Sequence, residues 1–492
     1  MANSKEENSY SNILKRLSAF GGVQIFNIFI SLIRGKFVAL FLGPAGMGIS
    51  SLYTSSLAPL QQICGLGLNL AVVKEIAANK DDESSLRRVL KVALRLLLFT
   101  SLLGGLVTLI AAPLWSEITF GNNLHTSAYL LLSLFTALSI AGAGLLALLQ
   151  GLGEVKRLSK ATLVGGLAGL IFGVPLYYFY GDGGIVPAMI ILALASFLFY
   201  LISYRKSQSN YLSEESEIRE EKEEKLRSVN LIKSLLSMGF ILLVGSLAGQ
   251  LITYLINLYI RSAGSLDDVG LFQGANSITN QYVGVIMSAL ALDYFPRLSA
   301  SCAHNDKMRE VVNRQTEVVM LVATPLIILL LLTAPIVIRI LLTDNFMVII
   351  PLIRWMGLGM LIQALAFPLG YIYVAKDDRK AYIWMECVWA NLCWLICSVG
   401  FYHIFGLIGL GISLVVRGVV DLIINYIVCL RRYGFRYSSS SFAAIAASLL
   451  LASLTFLSSL IEGTTGYATM VIFFILSASY SFRSLKGKIK KG

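Results

Sequence analysis

The sequence predicts an all-α polytopic membrane protein of about 14 transmembrane helices. Three observations predict it. Of the 492 residues, 56% are hydrophobic and only 14% are charged, against about 25% charged in soluble domains. Mean hydropathy is +0.74. Apolar runs long enough to cross a hydrocarbon layer of roughly 30 Å recur along the whole chain. A soluble chain would need far more polar surface to cover its cores. The runs also lack the ten-residue alternation of a membrane barrel, so helices are expected rather than strands.

In chain order the apolar segments fall near 17–42, 47–78, 89–112, 127–150, 160–180, 185–204, 232–260, 270–296, 315–342, 347–375, 381–402, 406–430, 440–461 and 466–482. No small-residue cleavage site follows a short apolar core in the first run, so it reads as a retained span. Basic residues orient the set. With the N-terminus inside, 32 Lys and Arg fall in cytoplasmic segments and one, Arg261, in an external loop. That asymmetry places both termini in the cytoplasm. The external connections are short (GPAG at 43–46, GDGG at 181–184, TDNF at 343–346, GTTG at 463–466). Such loops cannot house a catalytic domain, so the chain is not expected to be an enzyme.

The charged segment 205–233 contains Glu215–Arg219, Glu221–Lys225 and Glu223–Arg227 at i,i+4 spacing, which suits a solvated helical linker. It divides the chain into an N-terminal six-helix lobe (1–204), the cytoplasmic linker (205–233), a C-terminal six-helix lobe (234–436), and a final helix pair with a basic tail (437–492). The two lobes echo each other. Gly181 and Gly184 match Gly406 and Gly409, and Gly48 matches Gly270, at shifts near 225 and 222. Because six is even, the lobes would be parallel pseudo-repeats with a binding cavity between them.

Net charge is +12, but no basic stretch interleaves with aromatics on a solvated face, so nucleic acid is not an expected partner. None of the six cysteines falls in an external loop, and the three histidines sit at different loops. No disulfide framework, metal or cofactor is expected.

Seven basic residues remain within spans: Arg34, Lys36, Lys74, Arg95, Arg339, Arg354 and Arg417. Each costs about 2.5–3.5 kcal/mol at a helix centre, so such groups normally face a cavity or a partner. Arg339 can snorkel. Arg417 has Asp421 at i+4, which predicts an internal ion pair. On the first span Gln24, Asn27, Ser31 and Arg34 form a polar stripe about 80° wide, which reads as a cavity lining. Lys36 lies about 160–200° from Arg34, so either Gly35 disturbs the helix or the two residues point apart. Buried acids are fewer, chiefly Glu386 and Asp421, and a net cationic interior favours an anionic substrate such as a phosphate. Amides in spans two, seven and eight suit sugar hydroxyls. Pro59, Pro175, Pro325 and Pro368 would mark bends.

The stretch ISLIRGKFVALFLGPAGMGI…LGLNLAVVKEIA (30–77), with VGLFQGANSITNQYVGVIMSALALDYFPRLS (269–299), resembles Wzx-type O-antigen/polysaccharide flippases. These belong to the multidrug/oligosaccharidyl-lipid/polysaccharide exporter superfamily. The resemblance implies a monomeric carrier in the bacterial cytoplasmic (inner) membrane. It would turn an undecaprenyl-diphosphate-linked oligosaccharide (O-antigen, capsule or related repeat unit) from the inner to the outer leaflet by alternating access. Its partners would be that glycan, membrane lipids and other glycan-assembly membrane proteins. Lys36 and Lys74 match family basic positions, and Arg261 falls where members often carry a cation. Depth and charge add Arg34 and Arg354, and the stripe adds Gln24 and Asn27, as substrate-binding candidates. The final helix pair departs from the twelve spans of many Wzx proteins. The alternatives are a drug/cation antiporter or another polysaccharide exporter of the superfamily; an antiporter would need lumenal carboxylates, of which the first six spans offer only Glu75.

Overall fold

Glycines, rather than prolines, divide the helices. The computed structural model describes the backbone of residues 2–80, 82–211, 221–461 and 463–489. Side chains of residues 1–25, 208–230 and scattered positions in 234–245, 282–293 and 487–489 lie outside the described set. Every regular element among the described residues is helical. The α-helices in order are α1 (Ala2–Cys64), α2 (Leu68–Ala78), α3 (Glu83–Ile110), α4 (Ala112–Phe120), α5 (Thr126–Gly151), α6 (Val155–Tyr180), α7 (Ile185–Tyr211) and α8 (Glu221–Ala263). There follow α9 (Leu266–Ser301), α10 (Asn305–Leu341), α11 (Ile350–Ala375), α12 (Arg379–Tyr382), α13 (Ala390–Phe405), α14 (Leu407–Tyr433), α15 (Ser439–Ser458) and α16 (Thr464–Ile489).

Ten stretches of the described residues are long and apolar enough to cross a membrane. The chain is therefore a multi-pass membrane protein by length and composition. This count differs from the fourteen segments read in the sequence. Val155–Ser207 holds both α6 and α7, and Phe26–Cys64 holds two helical halves on either side of Gly43, whose φ of 65° leaves the helix. The α8 and α9 helices, parts of which lie outside the described side chains, are not among the ten, so the count does not test those two segments. Pro59, Pro175, Pro325 and Pro368 each lie inside a helix that continues past them. The expected external loop after α3 is itself helical. Pro113 sits in the first turn of α4, where a missing N–H costs nothing, and left-handed Gly121 ends that helix.

The chain divides into two compact units, Met1–Gly46 with Ser50–Tyr254, and Met47–Ile49 with Leu255–Gly492. The unit boundary thus falls within α8, and residues 212–220 of the expected linker lie outside the described residues.

In the N-terminal unit, α6 and α7 form an antiparallel pair. Gly165, Gly169 and Gly173 face Ser196, Leu192 and Ala188, so each step of four up one helix is a step of four down the other. Small residues at every fourth position let membrane helices approach closely, where lipid supplies no hydrophobic drive for association. The short α2 buries Leu68, Ala71, Val72 and Ile76 against Leu86, Val89 and Leu90 of α3 and Leu145, Leu148 and Leu149 of α5. It is separated from α1 by a break at Gly65–Gly67, inside what the sequence reads as one long span.

In the C-terminal unit, α11 and α14 run parallel, since Leu352 meets Gly411, Gly359 meets Leu414 and Ile362 meets Gly418. The final pair is joined to this unit's core. Ala452 and Phe456 of α15 and Met470 of α16 pack with Val319, Met320 and Ile327 of α10.

The connection between α11 and α12 is clasped by Asp378. Its carboxylate accepts from Tyr433 Oη at 2.7 Å and Ala381 N at 3.1 Å, and pairs with Arg432 at 2.8 Å. The Tyr433 hydrogen bond, then the Ala381 N–H, with Arg432 adding, hold this carboxyl below the ordinary carboxylate range. A carboxyl depressed in the folded state stabilises it above its unfolded value, near pH 4, and loses that contribution as pH falls through the folded value. Thermal unfolding of wild type and Asp378→Asn between pH 3 and pH 7 should show a wild-type advantage at neutral pH. That advantage should shrink below about pH 4.

Candidate functional site

Five of the seven candidate residues lie in the N-terminal unit. The α1 helix passes through Gly35 without interruption, its one non-helical residue being Gly43. At about 100° per residue, Arg34 and Lys36 therefore leave opposite sides of α1, which removes the alternative of a helix disturbed at Gly35. Asn27, seven residues before Arg34, shares the Arg34 face. Asn27, Arg34 and Lys36 are partly exposed, and the Gln24 side chain lies outside the described residues. The Arg34 guanidinium lies within electrostatic reach of Tyr177 on α6.

Lys74 is exposed because α2 commits its other face to packing. Val72 and Ile76, two residues to either side, are fully buried. The break that precedes α2 needs unusual backbone: Leu66 has φ 52° and Gly67 φ 62°. A Cβ at Gly67 would collide with the Gly239 carbonyl of α8, and one at Gly239 with the Leu66 carbonyl. Gln62, just before the break, donates to Ser246 of α8, so this amide joins helices. Among the described residues neither Arg34 nor Lys74 has an acidic partner within 4 Å. Arg34 lies within the candidate span Phe26–Cys64, where a cation without a partner is costly to keep unless an anion visits it.

Arg261 and Arg354 lie in the C-terminal unit. Arg261 lies in the last turn of α8, before the connection to α9, partly exposed, with no acidic partner among the described residues. Arg354 sits near the start of α11 and donates from Nη1 to the Ser459 carbonyl at 2.7 Å.

The C-terminal unit also contains a cavity of about 500 Å³, whose polar lining includes Asn280, Gln363, Glu386, Arg417, Asp421 and Asn425. Glu386 belongs to a π-helical segment, Ile383–Trp389, between α12 and α13. Such irregular turns frequently mark functional positions. Gly370 of α11 makes room for it, since a Cβ there would lie 2.6 Å from Glu386 Oε1. The predicted Arg417–Asp421 ion pair is absent among the described residues. Arg417 instead lies over the Trp394 ring, 5.0 Å from its centroid, a favourable contact for a cation, while Asp421 and Glu386 act on it electrostatically from beyond 4 Å. Asp421 accepts from Asn425 at 3.1 Å, and Asn425 accepts from Tyr373 at 2.7 Å. Two acids with one base leave this cavity one negative charge in excess when all three are ionised. Sequence reading singled out Glu386, Arg417 and Asp421 but not Gln363, Asn425, Gly370 or Trp394. What it lacked was the register that gathers the polar lining from α9, α11, α14 and the π-helical turn.

No group of three or more metal-ligating side chains occurs among the described residues, and all six cysteines are free.

The sequence model of the family described as "Polysaccharide biosynthesis protein" matches residues 13–302, more than half of the chain. The chain belongs to that family. It is 28% identical over 367 residues to the lipid III flippase of Escherichia coli (strain K12), covering 72% of this chain and 83% of that protein. The lipid III flippase of Shigella flexneri gives the same figures. In fold, the chain is similar to the lipid II flippase MurJ in its inward closed conformation. The TM-score is 0.70 at 13% identity, covering 96% of this chain and 99% of that one. An inward-facing multidrug resistance MATE family transporter of the MOP superfamily gives a TM-score of 0.68 at 16% identity, over 83% and 94% of the chains. The fold of this family member is thus similar to that of these two proteins, and it is all-α among the described residues.

Proposed function

We propose that this family member is a flippase carrying an undecaprenyl-diphosphate-linked oligosaccharide (an O-antigen, capsule or related repeat unit) from the inner to the outer leaflet by alternating access. The observation that carries the reading is that two cations of the N-terminal unit, Arg34 and Lys74, have no acidic partner within 4 Å among the described residues. A diphosphate offers each a charge-assisted contact; Lys36, on the other side of α1, and Arg261, in the C-terminal unit, are further candidate cations of this reading. Asn27, on the Arg34 face, and Gln24 would meet glycan hydroxyls. The matched relatives described as lipid III flippases support a lipid-linked glycan as cargo. In this reading the chain is a monomeric carrier rather than an enzyme. It sits in the bacterial inner membrane with both termini cytoplasmic, beside other glycan-assembly membrane proteins.

A drug/cation antiporter is the second reading, favoured by Glu386 and Asp421 in one cavity. Such an acid pair suits a transported cation, but it equally suits a coupling cation that drives an anionic cargo. Reconstitution in liposomes separates the two. The flippase reading expects inner-to-outer transfer of undecaprenyl-diphosphate-linked glycan. It further expects that transfer in Glu386→Gln loses its dependence on an imposed proton or sodium gradient. Gradient-driven efflux of organic cations without glycan transfer would favour the antiporter.

A further inference from the structure

Where α15 turns into α16, the C-terminal unit holds a second cavity of about 240 Å³. Its walls include Arg354, Ser459, Ile461, Gly463, Gly466 and Tyr467. The guanidinium of Arg354 is anchored at one nitrogen, and the helix that carries it is braced by the next residue. Nη1 donates to the Ser459 carbonyl. The next residue, Trp355, packs its ring 4.5 Å from that of Phe456, which fixes α11 against α15.

The remaining donors are underused. Arg354 Nε is shielded from solvent and has no hydrogen-bond partner, and no described carboxylate lies within 4 Å of the group. A neutral carbonyl satisfies one of five N–H donors and none of the charge. A shielded guanidinium without a counter-charge is unfavourable unless an anion completes it. Space for that anion is provided by glycine, since a Cβ built at Gly463 would meet nothing within 4 Å.

Depth identifies the class of anion. Arg354 is four residues past the start of α11 at Ile350, about 6 Å along the helix axis. In the sequence reading that end of α11 adjoins the external TDNF connection at 343–346, so the phosphates of the headgroup layer are within reach of a snorkelling arginine. The planar guanidinium fork also matches phosphate oxygens better than a point charge would.

We infer that this cavity is a binding site for a phosphate group, held by Arg354 between α11 and the α15–α16 turn. Arg354 thereby serves a resident ligand of the C-terminal unit rather than the passing diphosphate. The inference does not depend on what the chain transports. The phosphate can belong to a lipid headgroup or be free in solution, and the test distinguishes them.

The full chain, purified and delipidated, would be followed by thermal unfolding and by native mass spectrometry. Phosphatidylglycerol, diacylglycerol with the same acyl chains, and inorganic phosphate would each be added alone. Wild type should be protected by and retain phosphatidylglycerol but not diacylglycerol, which lacks the phosphate. R354Q should weaken retention at least tenfold, and R354K should fall between the two because it keeps charge without the fork. Protection by inorganic phosphate that is lost in R354Q would identify the free anion as ligand and equally support the site. Glu462 lies outside the described residues, in the α15–α16 connection; E462Q should bind as wild type or more tightly. Equal protection by diacylglycerol, or wild-type binding in both Arg354 variants, would overturn the inference. So would loss of binding in E462Q, because a carboxylate cannot be the group that holds an anion.

Discussion

Lys74→Ala should reduce binding of a diphosphate-linked cargo by about 10- to 150-fold, the equivalent of losing one charge-assisted hydrogen bond of about 1.5–3 kcal/mol. Stability should change by no more than about 0.5 kcal/mol, as for other exposed positions away from structural features. Both expectations come from the same geometry. The α2 helix is anchored by Leu68, Ala71, Val72 and Ile76, so removing the exposed amine leaves the packing intact. Lys74→Arg should keep most activity, because either cation serves a phosphate. The concentration dependence of transfer into liposomes, measured beside the unfolding temperature, checks this. Unchanged transfer in the alanine variant would move the anion site away from α2.

Gly67→Val should destabilise the protein by more than about 3 kcal/mol, enough to prevent accumulation of a marginally stable chain. Two costs add at this residue. A β-branched side chain in the left-handed region is a backbone outlier, and φ here is 62°. Its Cβ would also occupy the space of the Gly239 carbonyl, which is backbone and cannot rotate aside. Gly35→Ala provides the contrast. Gly35 is helical, with nothing within 4 Å of an added Cβ, so alanine should stabilise by about 0.5–1 kcal/mol. Unfolding temperatures of the two variants in one detergent decide the comparison. Equal behaviour would mean that the Gly67–Gly239 approach does not organise α2.

Much of this fold was legible in the sequence because membrane helices announce themselves by composition, and their ends by glycine. GDGG at 181–184 forms a 3₁₀ turn between α6 and α7, and TDNF at 343–346 leads into another before α11. The break at Gly65–Gly67 was harder to see. Two glycines within a continuous apolar run read as close packing as readily as a chain reversal, and only the meeting with Gly239 decides. The π-helical turn around Glu386 has no local residue pattern; it depends on what faces it, including the absent side chain of Gly370. The Arg417–Asp421 spacing was read correctly but not its outcome, because i,i+4 proximity permits an ion pair while Trp394 offers the cation an aromatic face. Among the candidate cations, burial patterns around α2 explain why Lys74 is exposed. Charge and depth alone could not distinguish Arg354, which a carbonyl in the final helix pair engages.

Arg34 and Lys74, which have no acidic partner within 4 Å among the described residues, should select an anionic lipid carrier. The most direct test compares the affinity of the purified chain for undecaprenyl diphosphate with that for uncharged undecaprenol, in wild type and in Arg34→Gln/Lys74→Gln. Wild type should strongly prefer the diphosphate, a preference that weakens with salt and collapses toward parity in the double variant, with undecaprenol binding unchanged. A preference that survives both substitutions would contradict that role for Arg34 and Lys74.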